Sequence, residues 1–365
     1  DWNMPLGNAS LADGVYPALF ASDFEHASCS DWIVFGLDTP SSTGQQANLV
    51  AFTNLYVSGM NGSGPSGICE AAGAHTDPTV KFALSISTQN GVIKTSPVVS
   101  VTGDKLAFVE SAGRQGTIFH VLTVDGSTGG TPTAAAAPVH GTLADVVLST
   151  SADDTMSSPW VDYANDIAYV ATDDGVLHKI NGVFLGTPAE VTSGPWPLQL
   201  APGQKLTSPV VDFDSGKIFA AATDGKLYSV GCVPAAPAAS TSCSVTSSAA
   251  VVSPDSIFDP PVLDSGNQRL YWFSNDGGGD RSQPVLVQTD LNLAVQSVVS
   301  LVVGEAGFNK RVIRAETFDN DFYNTGNGNL WACGLTHIPE GLSGGLYPTL
   351  LRFSVNGGTL STHPN

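Results

Sequence analysis

Acidic residues recur in one setting in this sequence, just before a glycine and between two apolar runs. Asp173–Asp174 precede Gly175 in "AYVATDDGVLHKI", Asp224 precedes Gly225 in "IFAAATDGKLYSV", and Asp276 precedes Gly277 in "LYWFSNDGGGDRS", which also holds Asp280. Carboxylates placed one or two to a turn are hard oxygen donors. Several brought to one rim could hold Ca²⁺ or draw in a cationic ligand, with Asp174, Asp224 and Asp276 as the metal set. Asp-Gly is also a favoured tight hairpin turn, so the same residues have a purely structural use. The basic candidates are Arg281, next to Asp280, Lys94 and Lys205, just before Ser-Pro phrases, and Arg311 and Arg314, ahead of a degraded repeat near Glu316. A guanidinium or ammonium there could bind a carboxylate or carbonyl oxygen, or simply face water. The stretches "SNDGGGDRSQ" and "DNDFYNTGNGN" are long for simple turns, yet neither has the EF-hand pattern.

Catalytic arrangements are harder to find. The histidines (His26, His75, His120, His140, His178, His337 and His363) are scattered without metal-ligand spacing. His178 takes the place of Tyr228 in a neighbouring repeat, which points to a structural role. His75 lies near Asp77 and Cys69 and has no such explanation. "NGSGPSG" imitates a nucleophile elbow, but its glycines and proline read as a loop. Catalysis is not expected.

The elements that position these residues repeat. Ser96–Pro97, Ser158–Pro159, Ser208–Pro209 and Pro260–Pro261 each begin a unit, and a degraded copy starts near Glu316. After the Pro come an apolar pair, a turn, an apolar strand, the Asp-Gly turn and a further strand, as in "SPVVDFDSGKIFAAATDGKLYSV". Units of about 50 residues made of short strands cannot bury both faces alone, so they must stack on copies of themselves. Radial stacking gives a β-propeller. The expectation is all-β, one propeller domain over residues 1–365 with seven four-stranded blades, six or eight being the alternatives. The repeats are clearest over 95–278. The weaker blades fall in 1–94, which has room for two, and in 279–365, where "LLRFSVNGGTLST" could close the ring.

Composition agrees. Charged residues are 13% of the chain, with 39 Gly and 23 Pro, which suits strands and turns over long helices. The net charge of −19 repels a phosphate backbone, which speaks against nucleic acid and anionic membrane surfaces. No apolar run has transmembrane length. Cys232 and Cys243 flank a Pro/Ala/Ser loop that a disulfide would staple. Cys29, Cys69 and Cys333 leave a second bridge, Cys29–Cys69 by nearness in sequence, or Cys29–Cys333 if the chain ends meet. Bridges imply an oxidising compartment, hence a secreted, periplasmic or cell-surface protein. The start at Asp1 suggests a removed leader. Asn8-Ala-Ser and Asn61-Gly-Ser are glycosylation sequons.

The phrase "SSPWVDYANDIAYVATDDGVLHKI", with "HVLTVDGSTGG", resembles the repeat of the pyrroloquinoline-quinone-type (quinoprotein-type) propellers. The resemblance implies a propeller. Many quinone dehydrogenases of that family carry a Trp after the Thr-Gly and an adjacent cysteine pair beside the cofactor. "STGGTPTAAA" has no such Trp, and no adjacent cysteines occur. The closer comparison is therefore with cofactor-free scaffold members. The expectation is a non-catalytic binding or scaffold module for a protein, peptide or glycan, with no cofactor and Ca²⁺ as an option. The alternatives are a Ca²⁺- or quinone-dependent lyase or dehydrogenase, and a self-assembling extracellular protein.

Overall fold

In a computed structural model the apolar runs become the middle strands of sheets. The structure describes residues 4–12, 14–23, 25–57, 68–69, 77–86, 90–113, 116–124, 129–139, 142–232, 243–250, 252–254, 257–275, 284–301, 313–337 and 346–361. These form six antiparallel sheets, each laid down by consecutive strands of the chain. The first contains β1 (Ala18–Phe20), β2 (Trp32–Gly36), β3 (Leu49–Thr53) and β4 (Thr79–Leu84). The second contains β5 (Val98–Val99), β6 (Lys105–Gly113), β7 (Gly116–Thr123) and β8 (Leu143–Val147). The third runs β9 (Trp160–Asp162), β10 (Ile167–Ala171), β11 (Val176–Asn181), β12 (Ala189–Glu190), and β13 (Leu198–Gln199) also pairs with β11. The fourth holds β14 (Val210–Asp212), β15 (Lys217–Ala221), β16 (Leu227–Gly231) and β17 (Ser244–Ser247). The fifth holds β18 (Val262–Asp264), β19 (Arg269–Ser274), β20 (Val285–Asp290) and β21 (Val295–Ser300). The sixth holds β22 (Ile313–Phe318), β23 (Asn327–His337), β24 (Leu346–Asn356) and β25 (Thr359–Leu360). The all-β expectation is met.

The chain divides into two compact units: Asp1–Asp173 with Leu177–Pro197, and Asp174–Val176 with Leu198–Asn365. In the first unit, Trp32, Val34, Phe82 and Leu84 pack with Leu106, Phe108 and Leu122 across sheets one and two. Ala107, Val109, Phe119 and Val121 then pack with Ala168, Val170 and Ile180 across sheets two and three. Successive residues of a strand point to opposite faces, so β6 sends Leu106 and Phe108 one way and Ala107 and Val109 the other. The second unit does the same with β19. Leu270 and Trp272 meet Phe219 and Leu227, while Tyr271 and Phe273 meet Leu330 and Phe353. Sandwiching on both sides is why these strands read as continuous apolar runs. The outer strand β17 is exposed at all four positions and reads Ser-Val-Thr-Ser.

Within a sheet the first turn is built by one acid. Asp162 accepts the N–H groups of Ala164 (3.0 Å) and Asn165 (3.1 Å), Asp212 that of Ser215 (3.1 Å), and Asp264 that of Asn267 (3.0 Å). Four residues after each Asp the backbone turns left-handed, at Asp166 (φ 56°), Gly216 (φ 66°) and Gln268 (φ 56°). That conformation favours Gly and tolerates short polar residues.

Both expected disulfides are present, Cys29–Cys69 and Cys232–Cys243, and Cys333 stands outside them. Residues 349–361 pair within the sixth sheet, as β24 with β23 and β25 with β24. Where sequence spacing leaves room for two blades before residue 95, the described residues up to Leu84 form the single sheet β1–β4. No helix among the described residues is long and apolar enough to cross a membrane.

Candidate functional site

The Ser of the Ser-Pro phrase is an acceptor for the preceding repeat. Ser158 Oγ accepts the N–H of Ser96 at 2.9 Å, and Ser96 Oγ accepts the N–H of Tyr16 at 2.8 Å. Tyr16–Pro17 therefore begins the first sheet as Ser96–Pro97 begins the second. Lysines make a second set of ties. Lys105 Nζ donates to Phe184 O in the next sheet, and Lys217, at the equivalent position of β15, donates to Leu291 O at 2.8 Å. Two of the 14 basic residues thus reach from one repeat to the next.

The acidic turns are engaged in the same way. Asp224 Oδ2 accepts the Tyr228 hydroxyl at 2.7 Å and faces Lys226 Nζ at 3.2 Å. Asp173 Oδ1 accepts the Met156 N–H at 3.3 Å. At Asp174 the backbone carbonyl accepts Gln199 Nε2 at 3.0 Å, and Gly175 follows at φ +84°. A Cβ on Gly175 would meet Ala201 O at 1.7 Å, so the Asp-Gly turn also serves a close backbone approach. Asp276, Asp280, Arg281 and Arg311 lie outside the described residues. The described residues contain no group of three or more His, Cys, Asp or Glu side chains able to hold a metal ion. Arg314 pairs with Asp259 at 2.9 Å and lies over the Phe258 ring, and Lys94 pairs with Asp154 at 2.9 Å. "DNDFYNTGNGN" contains a short helix, α1 (Asn320–Thr325). Its N-cap Asp319 accepts the N–H groups of Phe322 and Asn329, both at 3.0 Å.

Two fully buried histidines sit among polar partners in the first unit. His120 on β7 and His178 on β11 occupy equivalent positions of successive sheets, opposite Phe108 and Val170. His120 Nε2 lies 3.0 Å from Glu110 Oε2, and its Nδ1 lies 2.8 Å from Asp145 Oδ1 on β8. Phe108 stacks on the ring. Burial alone would drive the proton off His120. Hydrogen bonds to Asp145 and Glu110, with their charges, outweigh burial and raise its pKa above the ordinary histidine value. Asp145, bonded to His120, is held below the usual carboxylate range. Glu110 is buried so closely that a Cβ on Gly91 would meet its Oε1 at 1.9 Å.

At His178 the partners change. Its Nδ1 meets Glu190 of β12, and its Nε2 lies 3.1 Å from Thr172 Oγ1, where Thr172 replaces Glu110. Burial pushes the Glu190 pKa up, but hydrogen bonds from His178 and Ser149 hold it below its ordinary value. The structure places His178 in a structural slot, as its alignment with Tyr228 suggests.

No known family model matches this sequence, and no curated protein matches it either. The quinoprotein resemblance therefore stays a matter of repeat residues. In the sequence His120 reads only as one of several scattered histidines, and nothing there singles out Glu110 or Asp145. The signal was indirect: His120 lies 24 residues after Ser96 and His178 lies 20 after Ser158, so the two align only when four extra residues are allowed in the turn before His120.

One further group stands apart from the polar ties. In the turns after the first strands, Val101, Tyr163 and Phe213 take equivalent positions and are 73%, 44% and 57% exposed. In the first unit Tyr163 donates to Val99 O at 2.8 Å and stacks on Phe184, whose neighbour Leu185 is 83% exposed.

Proposed function

We propose that the six sheets are blades of a β-propeller and that the protein is a non-catalytic binding module working outside the cytoplasm. Its partner is a protein or glycan held on the first-turn face. The observation that carries this reading is the part-exposed ring of Tyr163, held by its hydrogen bond to Val99 O and its stack on Phe184, with Val101 and Leu185 exposed close in sequence to those two partners. An exposed aromatic so fixed, with exposed apolar residues next to its partners in sequence, fits a contact surface. A rigid aromatic such as Tyr163 contributes contact area at low entropic cost. Two disulfides are compatible with an extracellular setting.

The test is binding of the immobilised protein to a neutral-glycan array and to a displayed random-peptide library. Both are repeated with a Val101→Asp/Leu185→Asp variant. Ligands of the wild type that bind the variant at least about tenfold more weakly, a difference of about 1.4 kcal/mol, support the reading. Equal binding by both proteins overturns it. Thermal unfolding with EDTA, with Ca²⁺ and with a quinone plus Ca²⁺ separates the enzyme alternative. A ligand at 100 times its dissociation constant stabilises by about 2.7 kcal/mol, so a cofactor would move the midpoint visibly.

A further inference from the structure

The segment before β1 presents one polar pair outward. Leu6 and Ala9 pack against the cluster of Leu37, Ala47, Val50 and Phe52, whereas Asn8 and Ser10 are exposed. Gln46 fixes the backbone there: its Oε1 accepts the N–H of Asn8 at 3.0 Å, and its Nε2 donates to Leu6 O at 2.8 Å. On the far side Asp38 N donates to Ser10 O at 2.9 Å. The segment is thus tied down on both sides of Asn8, with Ala9 inward. The Asn8 side chain makes no hydrogen bond to any described residue, unlike Asn48, Asn165, Asn267 and Asn329, whose amides all bond within the fold.

We infer that Asn8, in Asn8-Ala9-Ser10, is an acceptor for an N-linked oligosaccharide. The amide Nδ2 forms a bond to the anomeric carbon of a lipid-diphosphate-linked oligosaccharide. The bond from that carbon to the diphosphate oxygen breaks, the lipid diphosphate leaves, and the amide proton passes to a base of the transferring enzyme. Ser10 supplies the hydroxyl by which such an enzyme recognises the acceptor. The folded protein accommodates the product because both side chains face solvent and no fold contact is lost. Asn61 of the second sequon lies outside the described residues.

This inference rests on the extracellular reading, and the test separates the two. The chain is translated behind a cleavable leader in the presence of microsomes, as Asn61→Gln to leave one sequon. Intact mass is measured before and after peptide N-glycosidase. The expected result is a glycan mass removed by the amidase, abolished by Asn8→Gln and by Ser10→Ala, and kept by Ser10→Thr. A chain that is imported, forms both disulfides and keeps its unmodified mass overturns the inference and leaves the extracellular reading standing. A chain that is imported but forms neither disulfide counts against that reading. Its mass still decides the question at Asn8.

Discussion

Ser158 Oγ accepts the backbone N–H of Ser96, 62 residues earlier, and this contact joins the start of the third sheet to the start of the second. The repeat therefore keeps a hydroxyl beside its proline for the sake of the neighbouring sheet. Ser158→Ala leaves the Ser96 N–H without that acceptor in a part-buried position. The expected loss is about 1–2 kcal/mol, read as a lower urea midpoint at unchanged slope. An unaltered midpoint would show that water replaces the hydroxyl without cost.

His120 is the group whose removal should hurt most. His120→Ala removes the buried ring that bonds Glu110 through one nitrogen and Asp145 through the other, and the expected destabilisation is about 3–5 kcal/mol. The pH dependence has a definite sign. The folded pKa is raised, so the stabilisation is complete below the unfolded value of about 6.5 and is lost as pH rises through the folded value. The gap between the unfolding free energies of wild type and variant should narrow as pH rises above about 6.5. A constant gap would mean that His120 acts by shape alone.

Gly175 and Gly203 both have positive φ, at +84° and +70°, but only Gly175 faces a close backbone neighbour. Gly203→Ala should cost about 1–2 kcal/mol for the left-handed backbone. Gly175→Ala adds a collision with Ala201 O and should cost at least about 2 kcal/mol more. Equal midpoints for the two variants would refute the close approach.

The two disulfides should differ in worth by loop length. Cys29 and Cys69 are 40 residues apart, Cys232 and Cys243 only 11. Chain-entropy arguments give roughly 4 and roughly 3 kcal/mol respectively. Paired Cys→Ser variants in denaturant melts check the order. A reversal would place the effect in native packing instead.

Much of the candidate site was legible as residues and illegible as roles. The Asp of "SPWVDY" and "SPVVDF" is visible in the sequence, but only the turn geometry shows Asp162 and Asp212 consumed by backbone N–H groups. Tyr16–Pro17 went unrecognised as a repeat start, because tyrosine stands there in place of the serine of the phrase and the next copy lies 80 residues on. Spacing then suggested two blades where the described residues hold one sheet. Long connections cost little entropy, so the repeat period is a poor ruler across loops. The Arg314–Asp259 pair escaped notice because its members lie 55 residues apart.

The sequence by itself determined the all-β class, the Ser-Pro unit and the Cys232–Cys243 pairing, and favoured Cys69 over Cys333 as the partner of Cys29. Each of these follows from local preference: apolar runs between turn residues, a phrase repeated at similar spacing, and cysteines close along the chain. Tertiary structure alone decided which polar groups are spent on the fold. Whether a carboxylate such as Glu110 meets water or an imidazole depends on the strand laid beside it, and that strand is chosen by stacking and pairing, not by its neighbours in sequence. For the same reason only the folded chain distinguishes Asn8, turned outward with its amide uncommitted, from Asn48, buried and bonded to Ile86.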